Sequence, residues 1–283
     1  MGFGDDLLVT SLAAKIKKQF PERQIVIGIA EKNHAFHSPI YENNPNIADC
    51  RKLDSNKPIH LINFHELNRP YIDYEKSVPN NYVWRNFKPI PGEIFFSDQE
   101  KIKAKKIISE AKEFWNENNK KKFRNMIFLE TSSTKINDVQ FNFKHQNKDW
   151  GIQNWTRLIN KLKNDYLIIQ STHTQTKKIA GIFTPKEMDF RLACSLLEEV
   201  DFYVGPEGGF GHVAAALNKK AVLYFGGWIS PDVIGYDFHE NIYYEDQRSP
   251  CGVKLKVCEH CSKAREMISV DLFLKHIYRI SSS

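Results

Sequence analysis

Apolar residues along this chain fall into short runs that alternate with longer amphipathic segments. In the first half, Gln24 to Ala30 and Pro58 to Phe64 have the β-branched and apolar composition of buried strands. Glu93 to Ser97 predicts another strand, and a lysine-rich helix is predicted to follow from Asp98 to about Asn116. Strands that alternate with helices are typical of an α/β fold built on a parallel sheet.

The first residues predict a helix with one apolar side. The positions that define this side recur at every fourth residue: Leu8, Leu12, Ile16 and Phe20. Gly4-Asp5 at the head of the helix would place a carboxylate in a cleft, beside a glycine turn. Because aspartate is also a common N-cap, the pattern alone leaves both roles open for Asp5.

A second α/β series is predicted after Glu117 to Asn125, a polar and charged segment that is the best candidate for a linker. Its predicted strands are Met126 to Leu129, Tyr166 to Gln170, Phe202 to Val204 and Ala221 to Phe225. Its predicted helices are marked by Trp155, Leu158, Ile159 and Leu162, and by Lys186 to Glu199. We therefore predict an α/β fold of two doubly wound Rossmann-like domains, residues 1–120 and 121–283, that face each other across a cleft.

The stretch VGPEGGFGHVAAALN, Val204 to Asn218, predicts a strand, a glycine-rich turn and a helix of small residues that starts at His212. Its glycines leave the backbone free to adopt positive φ and to approach a ligand closely. The first turn of the helix offers unpaired N–H groups and the positive end of the helix dipole, which suit a phosphate, and His212 can add a side-chain donor. Such turns also occur in α/β proteins without a ligand, so the glycines alone leave the choice open.

The segment from His65 to Arg85 carries aromatic and basic residues with little periodicity, among them Arg69, Tyr71 and Trp84. Aromatic faces and charged donors suit a cleft that binds a sugar. A surface helix and loop is the alternative for this segment.

Composition makes the chain an ordinary globular protein, with 41% hydrophobic and 26% charged residues among its 283. Its net charge of +6 fits an acidic partner such as a nucleotide, a phosphorylated glycolipid or an anionic membrane surface. The basic residues are not gathered into one patch, so no nucleic acid partner is expected. Without a long apolar run or a secretion leader, we expect a cytoplasmic protein, either free or peripheral at the inner membrane surface.

The five cysteines are an odd number and argue against a secreted disulfide framework. Cys251, Cys258, His260 and Cys261 have a spacing that could ligate zinc through three thiolates and an imidazole. Adjacent His260 and Cys261 are awkward as simultaneous ligands. We therefore expect no metal, with a structural zinc site as the alternative.

Three motifs occur in an order that resembles glycosyltransferase family 9, the family of the lipopolysaccharide heptosyltransferases. They are Gly4 to Thr10 (GDDLLVT), Lys148 to Trp155 (KDWGIQNW) and Val204 to Leu217. The tail, with Cys258 to Cys261 and then Ile268 to Asp271, also resembles the end of that family. The resemblance implies a GT-B fold and inverting transfer of a sugar from a nucleotide-diphosphate sugar to a glycan or glycolipid acceptor. It implies no required metal or cofactor.

The resemblance also assigns roles to residues. It implies that Asp5 is the catalytic base and that Lys148 is the counter-charge for the leaving diphosphate. The implied donor-binding residues are Thr131, Ser132, Glu207, Gly208, Gly209, Phe210 and His212. Adjacent helix residues point about 100° apart, so Asp6 is expected to face away from the cleft and at most to cap the helix.

Two departures from the family pattern bear on these roles. Family members usually begin with a strand before Gly-Asp, so we expect either a truncated start or a first sheet that is built differently. Glu207-Gly208 replaces the usual Asp-Thr, which removes one hydroxyl donor. The donor sugar therefore cannot be copied from the heptosyltransferases.

Two other functions remain open on the sequence alone. Gly205 to Phe210 (GPEGGF) also resembles a segment of the knotted-fold RNA methyltransferases, which use S-adenosylmethionine. Those enzymes should continue into a leucine- and arginine-rich stretch, whereas a helix of small residues follows here. The second alternative is a non-catalytic protein that binds sugar nucleotides on the same fold.

Overall fold

The structure is a computed structural model in which residues 2–132, 142–173 and 176–282 are described. Its helices are α1 Phe3–Gln19, α2 Asp98–Asn118, α3 Asn142–Asn147, α4 Ile152–Leu162, α5 Phe190–Glu198, α6 Gly209–Ala216, α7 Pro231–Ile234, α8 Glu259–Met267 and α9 Val270–Ser281. Its strands are β1 Gln24–Ile29, β2 His34–Ala35, β3 Ile59–Asn63, β4 Met126–Leu129, β5 Leu167–Gln170, β6 Phe202–Pro206, β7 Lys220–Gly226 and β8 Glu240–Tyr243.

The strands form two sheets. The first has the order β2-β1-β3, with β1 parallel to β3 and antiparallel to the short β2. The second is parallel throughout and has the order β5-β4-β6-β7-β8. Its inner strands β4, β6 and β7 are almost entirely buried, which is why their sequences are continuous apolar runs rather than alternating ones.

The predicted strand at Glu93 to Ser97 is wrong, because this segment is irregular. Its backbone bonds to side chains instead of to a neighbouring strand. The N–H of Glu93 donates to Thr10 Oγ1 at 2.7 Å, and Arg191 donates to the carbonyl of Phe95 at 2.7 Å. The segment therefore fills the space between α1 and α5, and it adds no strand to a sheet.

Helix α1 is confirmed, but the prediction of its buried side is wrong. Leu12 is 42% exposed and Phe20 is 37% exposed, whereas every residue from Asp5 to Thr10 is buried. The N-terminal half of α1 packs against α6 as well as against β1, so it is covered on several sides. A helix covered in this way has no single apolar stripe.

Helices α4 and α9 pack against each other beside the parallel sheet. Helix α4 buries the four positions predicted for it, Trp155, Leu158, Ile159 and Leu162, and α9 packs against them. Phe273 of α9 lies against Trp150 with ring centroids 4.2 Å apart. Among the described residues, no helix is long and apolar enough to cross a bilayer.

The two sheets lie on either side of the predicted linker. Helix α2 extends to Asn118 and therefore overlaps the start of that segment. It packs mainly against α5, which follows the linker, and one cluster of buried apolar residues includes side chains from both halves of the chain. The division at residues 120 and 121 stays a prediction.

Candidate active site

The order of the parallel sheet defines a crevice at its carboxyl edge. The chain leaves β4 for β5 on one side and later enters β6 on the other side of β4, so the direction of winding changes between β4 and β6. Ligands of doubly wound folds bind outside the carboxyl ends of the strands at such a point. The loops that follow these two strands carry Thr131-Ser132 and Glu207-Gly208, so the structure brings both predicted groups to one edge of the sheet.

The glycine turn leads into α6 earlier than the sequence predicts. The helix begins at Gly209 rather than at His212, and Gly208 is its N-cap with a φ of 149°. A β-carbon added at Gly208 would meet no atom within 4 Å, so open space lies beside this residue. The positive φ favours glycine, and the open side leaves room for a ligand at the helix start.

The starts of α1 and α6 are in direct contact next to this space. A β-carbon at Gly4 would lie 2.9 Å from His212 Cδ2 and 3.4 Å from the Cα of Gly209, so only glycine permits the approach. The positive ends of two helix dipoles thus meet near one point. Asp5 follows Gly4 directly, so it lies in the first turn of α1 beside this contact.

Asp5 is buried and has several partners. Arg69 Nε lies 3.0 Å from Oδ2 in an ion pair, and the hydroxyl of Tyr71 donates to Oδ1. The N–H of Gly2 also donates to Oδ2 at 3.4 Å, so Asp5 takes part in the capping box at the start of α1. Arg69 and Tyr71, from the segment His65 to Arg85, thus contact the Asp5 carboxylate, while a sugar-binding role for this segment stays a prediction.

Asp6 points elsewhere, as expected, but it does more than cap the helix. Ser38 Oγ donates to its Oδ2 at 2.7 Å, and the Tyr41 hydroxyl donates to its Oδ1 at 3.3 Å. Burial raises the pKa of the Asp6 carboxyl, against the opposing effect of the bond from Ser38. The expectation that Asp6 serves at most as a cap is therefore wrong.

Lys148 lies at the glycine turn and forms an ion pair with Glu207. Its Nζ is 2.6 Å from Glu207 Oε1, with 18% of the lysine side chain exposed and only 2% of the glutamate side chain. The same Nζ lies 5.0 Å from the ring centroid of Trp228, close enough for a cation–π interaction. Lys148 therefore neutralises a buried carboxylate within the turn.

His212 is buried within α6 and is not a charged donor. Its Nδ1 lies 2.9 Å from the hydroxyl of Tyr236, and burial lowers its pKa to about 4. The ring packs on Gly4, so its clearest effect is to set the distance between α1 and α6. A side-chain bond from His212 to a phosphate stays a prediction.

Phe210 contributes its ring to packing. It stacks on Phe190 with centroids 4.8 Å apart and meets Phe128 edge-on at 5.2 Å. Phe190 in turn stacks on Phe3 at 4.6 Å, which joins the start of α1 to the start of α6. Since the ring is occupied in this way, the backbone N–H is the group of Phe210 that suits a ligand.

A family model, glycosyltransferase family 9 (heptosyltransferase), matches residues 74–232. The match covers more than half of the chain and includes Lys148 and the whole glycine turn. The chain belongs to glycosyltransferase family 9. Asp5, Arg69 and Tyr71 lie before the matched residues. A search of curated proteins found no match.

Solved structures show the same fold at low sequence identity. A family 9 glycosyltransferase from Veillonella parvula is 12% identical, with a TM-score of 0.59 over 99% of this chain and 94% of that one. TibC, an iron-containing dodecameric glycosyltransferase from enterotoxigenic E. coli, is 14% identical, with a TM-score of 0.59 over 99% of this chain and 74% of that one. The predicted α/β fold of GT-B type is confirmed, and the family match decides against the RNA methyltransferase alternative.

An acidic residue at the carboxyl edge of the sheet, Glu130, was missed in the sequence. Glu130 directly follows β4 and is buried, and its Oε1 accepts from the N–H groups of Thr131 at 2.9 Å and Ser132 at 3.0 Å. Burial raises the pKa of the Glu130 carboxyl to about 7. A charged residue at the end of an apolar strand run was the available signal, because that position faces the crevice of a doubly wound sheet.

Proposed function

We propose that this family 9 glycosyltransferase transfers a sugar from a nucleotide-diphosphate sugar to a hydroxyl group of a glycan or glycolipid, with inversion at the sugar. The observation that supports it best is the position of Asp5. A buried carboxylate lies where the starts of α1 and α6 meet, beside a glycine turn with space for a ligand. Donor and acceptor groups would meet at this point.

The diphosphate of the donor binds at the start of α6 in this proposal. The first-turn N–H groups of a helix and the positive end of its dipole suit such an anion, and Gly208 leaves the approach open. Thr131 and Ser132 are the second group of donor contacts. They lie on the other side of the crevice, where their N–H groups donate to Glu130. One TibC structure, at a TM-score of 0.56 and 13% identity, contains ADP-D-beta-D-heptose, which makes this nucleotide sugar the first donor to test.

Asp5 serves as the base. The acceptor oxygen bonds to the anomeric carbon, the bond from that carbon to the diphosphate oxygen breaks, and the acceptor proton passes to Asp5. Tyr71 occupies one lone pair of Oδ1, and an ionised carboxylate oxygen has a second one for this proton. Arg69 and Tyr71 fix the direction of the carboxylate.

The leaving diphosphate needs positive charge and N–H donors as its bond breaks. Lys148 and the start of α6 supply both, and Lys148 also cancels the charge of Glu207, which would otherwise repel the diphosphate. We propose that the transfer step needs no divalent metal.

The donor binds the residues after 120, and the acceptor, of the lipopolysaccharide or cell-surface polysaccharide type, binds the residues before it. We place this work in the cytoplasm, at the inner membrane surface when the acceptor is a glycolipid.

A direct test starts with donor binding. Nucleoside diphosphates, ADP-heptose and S-adenosylmethionine are screened by thermal shift, since a ligand that binds only the folded state raises its Tm. The best donor is then incubated with glycan and glycolipid acceptors in the presence of a chelator, and the products are identified by mass spectrometry and by the anomeric configuration of the new bond. Donor binding without transfer to any acceptor would favour the non-catalytic alternative. Transfer with retention, or transfer that the chelator abolishes and that Mg²⁺ or Mn²⁺ restores, would contradict the mechanism.

A further inference from the structure

Three cysteines near the end of the chain converge at one place. The Sγ atoms of Cys251, Cys258 and Cys261 all lie within 4.8 Å of one another, and those of Cys251 and Cys261 are 3.2 Å apart. All three are free thiols, with Cys258 and Cys261 buried and Cys251 half-buried. Thiolates on a tetrahedral zinc ion, with bonds of about 2.3 Å, lie about 3.8 Å apart, which falls within the observed spacings.

Hydrogen bonds hold the backbone around the cluster in place. Cys258 is the N-cap of α8 and Cys261 lies in its first turn, where the helix dipole favours thiolates. The buried amide of Asn147 accepts from the Cys258 N–H at 2.8 Å and donates to the carbonyls of Val253 and Lys256 at 3.2 Å and 3.0 Å. A loop held in this way presents its ligands at low entropic cost, as the surroundings of metal sites commonly do.

His260, which the sequence pattern includes among the zinc ligands, is held elsewhere. Its Nε2 lies 3.0 Å from Ser249 Oγ, and its Nδ1 lies 3.1 Å from Asp246 Oδ1. Both ring nitrogens therefore have partners outside the cysteine cluster. The imidazole supports the loop that carries Cys251 rather than completing the ligand set.

We propose that Cys251, Cys258 and Cys261 bind one thiophilic metal ion, either zinc or iron, through three thiolates and one ligand taken from solution. Thiolates select such ions over magnesium or calcium, which prefer oxygen. Each thiol loses its proton to solvent when the ion binds. The site is separate from the proposed transfer chemistry, and its presence does not depend on that function.

The metal would lock a loop that supports the candidate active site. The carbonyl of Cys251 accepts from Asn81 Nδ2 at 2.9 Å, so the loop also contacts the first half of the chain. Trp228 Nε1 donates to the carbonyl of Val253 at 2.8 Å, and the Trp228 ring lies 5.0 Å from Lys148 Nζ. Fixing Cys251 to α8 therefore fixes the backbone on which Trp228 and, through it, Lys148 rest.

The test is metal content and its effect on the three thiols. The full chain is purified with a reductant and reconstituted under anaerobic conditions, with Zn²⁺ in one arm and Fe²⁺ in another. Unbound metal is removed by desalting, and the metal content is measured by elemental mass spectrometry. About one ion per chain is expected in at least one arm, with under about a tenth left in each of Cys251→Ser, Cys258→Ser and Cys261→Ser. Cys50→Ser and Cys194→Ser are the matched controls and should keep the ion, and the two arms identify which ion it is.

A second readout needs no variant. Bound metal should protect Cys251, Cys258 and Cys261 from alkylation in the folded wild type and should raise its Tm by several degrees, since binding is coupled to folding. Failure of the reduced wild type to bind either ion would overturn the proposal, and so would equal metal content in the control and cluster variants. The proposal would also be overturned if Cys251 and Cys261 formed a disulfide in the purified chain and their thiols, after reduction, bound no metal.

Discussion

Replacement of Lys148 by methionine separates two effects that the structure joins in one residue. Methionine keeps much of the side-chain volume but leaves Glu207, whose side chain is only 2% exposed, without its charge partner. Removing one member of a buried pair costs about 3–5 kcal/mol, and the partial exposure of Lys148 reduces this to about 2–4 kcal/mol. At roughly 2–4 °C per kcal/mol for a chain of this size, Tm should fall by about 5–15 °C.

The double variant Lys148→Met/Glu207→Gln removes both charges and should recover most of the lost stability, with a coupling free energy of about 2–3 kcal/mol. Thermal and urea unfolding of the wild type, the two single variants and the double variant provide the cycle. Lys161→Met is the control, because its pair with Asp271 is exposed and 3.8 Å long, and it should change stability by less than about 0.5 kcal/mol.

Activity then distinguishes the two roles of Lys148. If the ammonium stabilises the leaving diphosphate, the double variant should remain about 10²–10³-fold slower than the wild type although it is stable, which is the usual loss when one such donor is removed. The assay is release of nucleoside diphosphate at saturating donor. A stable double variant with wild-type turnover would refute the direct role and leave Lys148 only as the partner of Glu207.

Two further predictions concern buried carboxyl groups. The pKa of Glu130 is raised to about 7 in the folded chain, so its protonated form stabilises the fold below about pH 4.5 and this contribution, about 3 kcal/mol, is lost as the pH rises through 7. Glu130→Gln keeps an acceptor for Thr131 and Ser132 but does not ionise. The wild type alone should therefore lose stability between pH 5 and pH 8, so the Tm of the variant minus that of the wild type should rise by several degrees over this range. A Tm difference that is the same at both pH values would argue against the raised pKa. Asp6→Ala leaves the buried hydroxyls of Ser38 and Tyr41 without their shared acceptor and should cost about 2–4 kcal/mol in urea unfolding, whereas a loss below about 0.5 kcal/mol would mean that this pocket is hydrated.

The parts of the fold that the sequence predicts well are those where one local pattern decides the structure. The buried stripe of α4 follows from helical spacing, and the inner strands follow from continuous apolar runs. Helix α9 was not predicted, although Phe273, Leu274, Ile277 and Ile280 have the same helical spacing. The irregular segment at Glu93 to Ser97 could not be distinguished from a strand, because its hydrogen bonds go to Thr10 and Arg191, which are distant in sequence.

The candidate site divides in the same way. Glycines and a helix start are local signals, so the glycine turn could be located from the sequence, although the start of α6 was placed three residues late. The partners of Asp5 could not be located, because Arg69 and Tyr71 belong to a segment without periodicity and reach Asp5 only through tertiary packing. The burial of His212 and Asp6 likewise depends on how α1 packs against its neighbours, which no short pattern encodes.

The central claim is that Asp5 takes the proton of the acceptor, and Asp5→Asn tests it most directly. Asparagine keeps the shape and still accepts from Tyr71, but it leaves the buried guanidinium of Arg69 without its nearest charge partner and should cost about 2–4 kcal/mol of stability. At a temperature where it is folded, the variant should bind the donor with a Kd within about twofold of wild type, measured by titration calorimetry. Transfer should fall by about 10²–10⁴-fold, the usual contribution of a positioned base. Asp6→Asn, the same change at the adjacent buried residue, should keep transfer within about tenfold of wild type at a temperature where it is folded. Wild-type transfer by Asp5→Asn, or a larger loss in Asp6→Asn than in Asp5→Asn, would contradict the proposed mechanism.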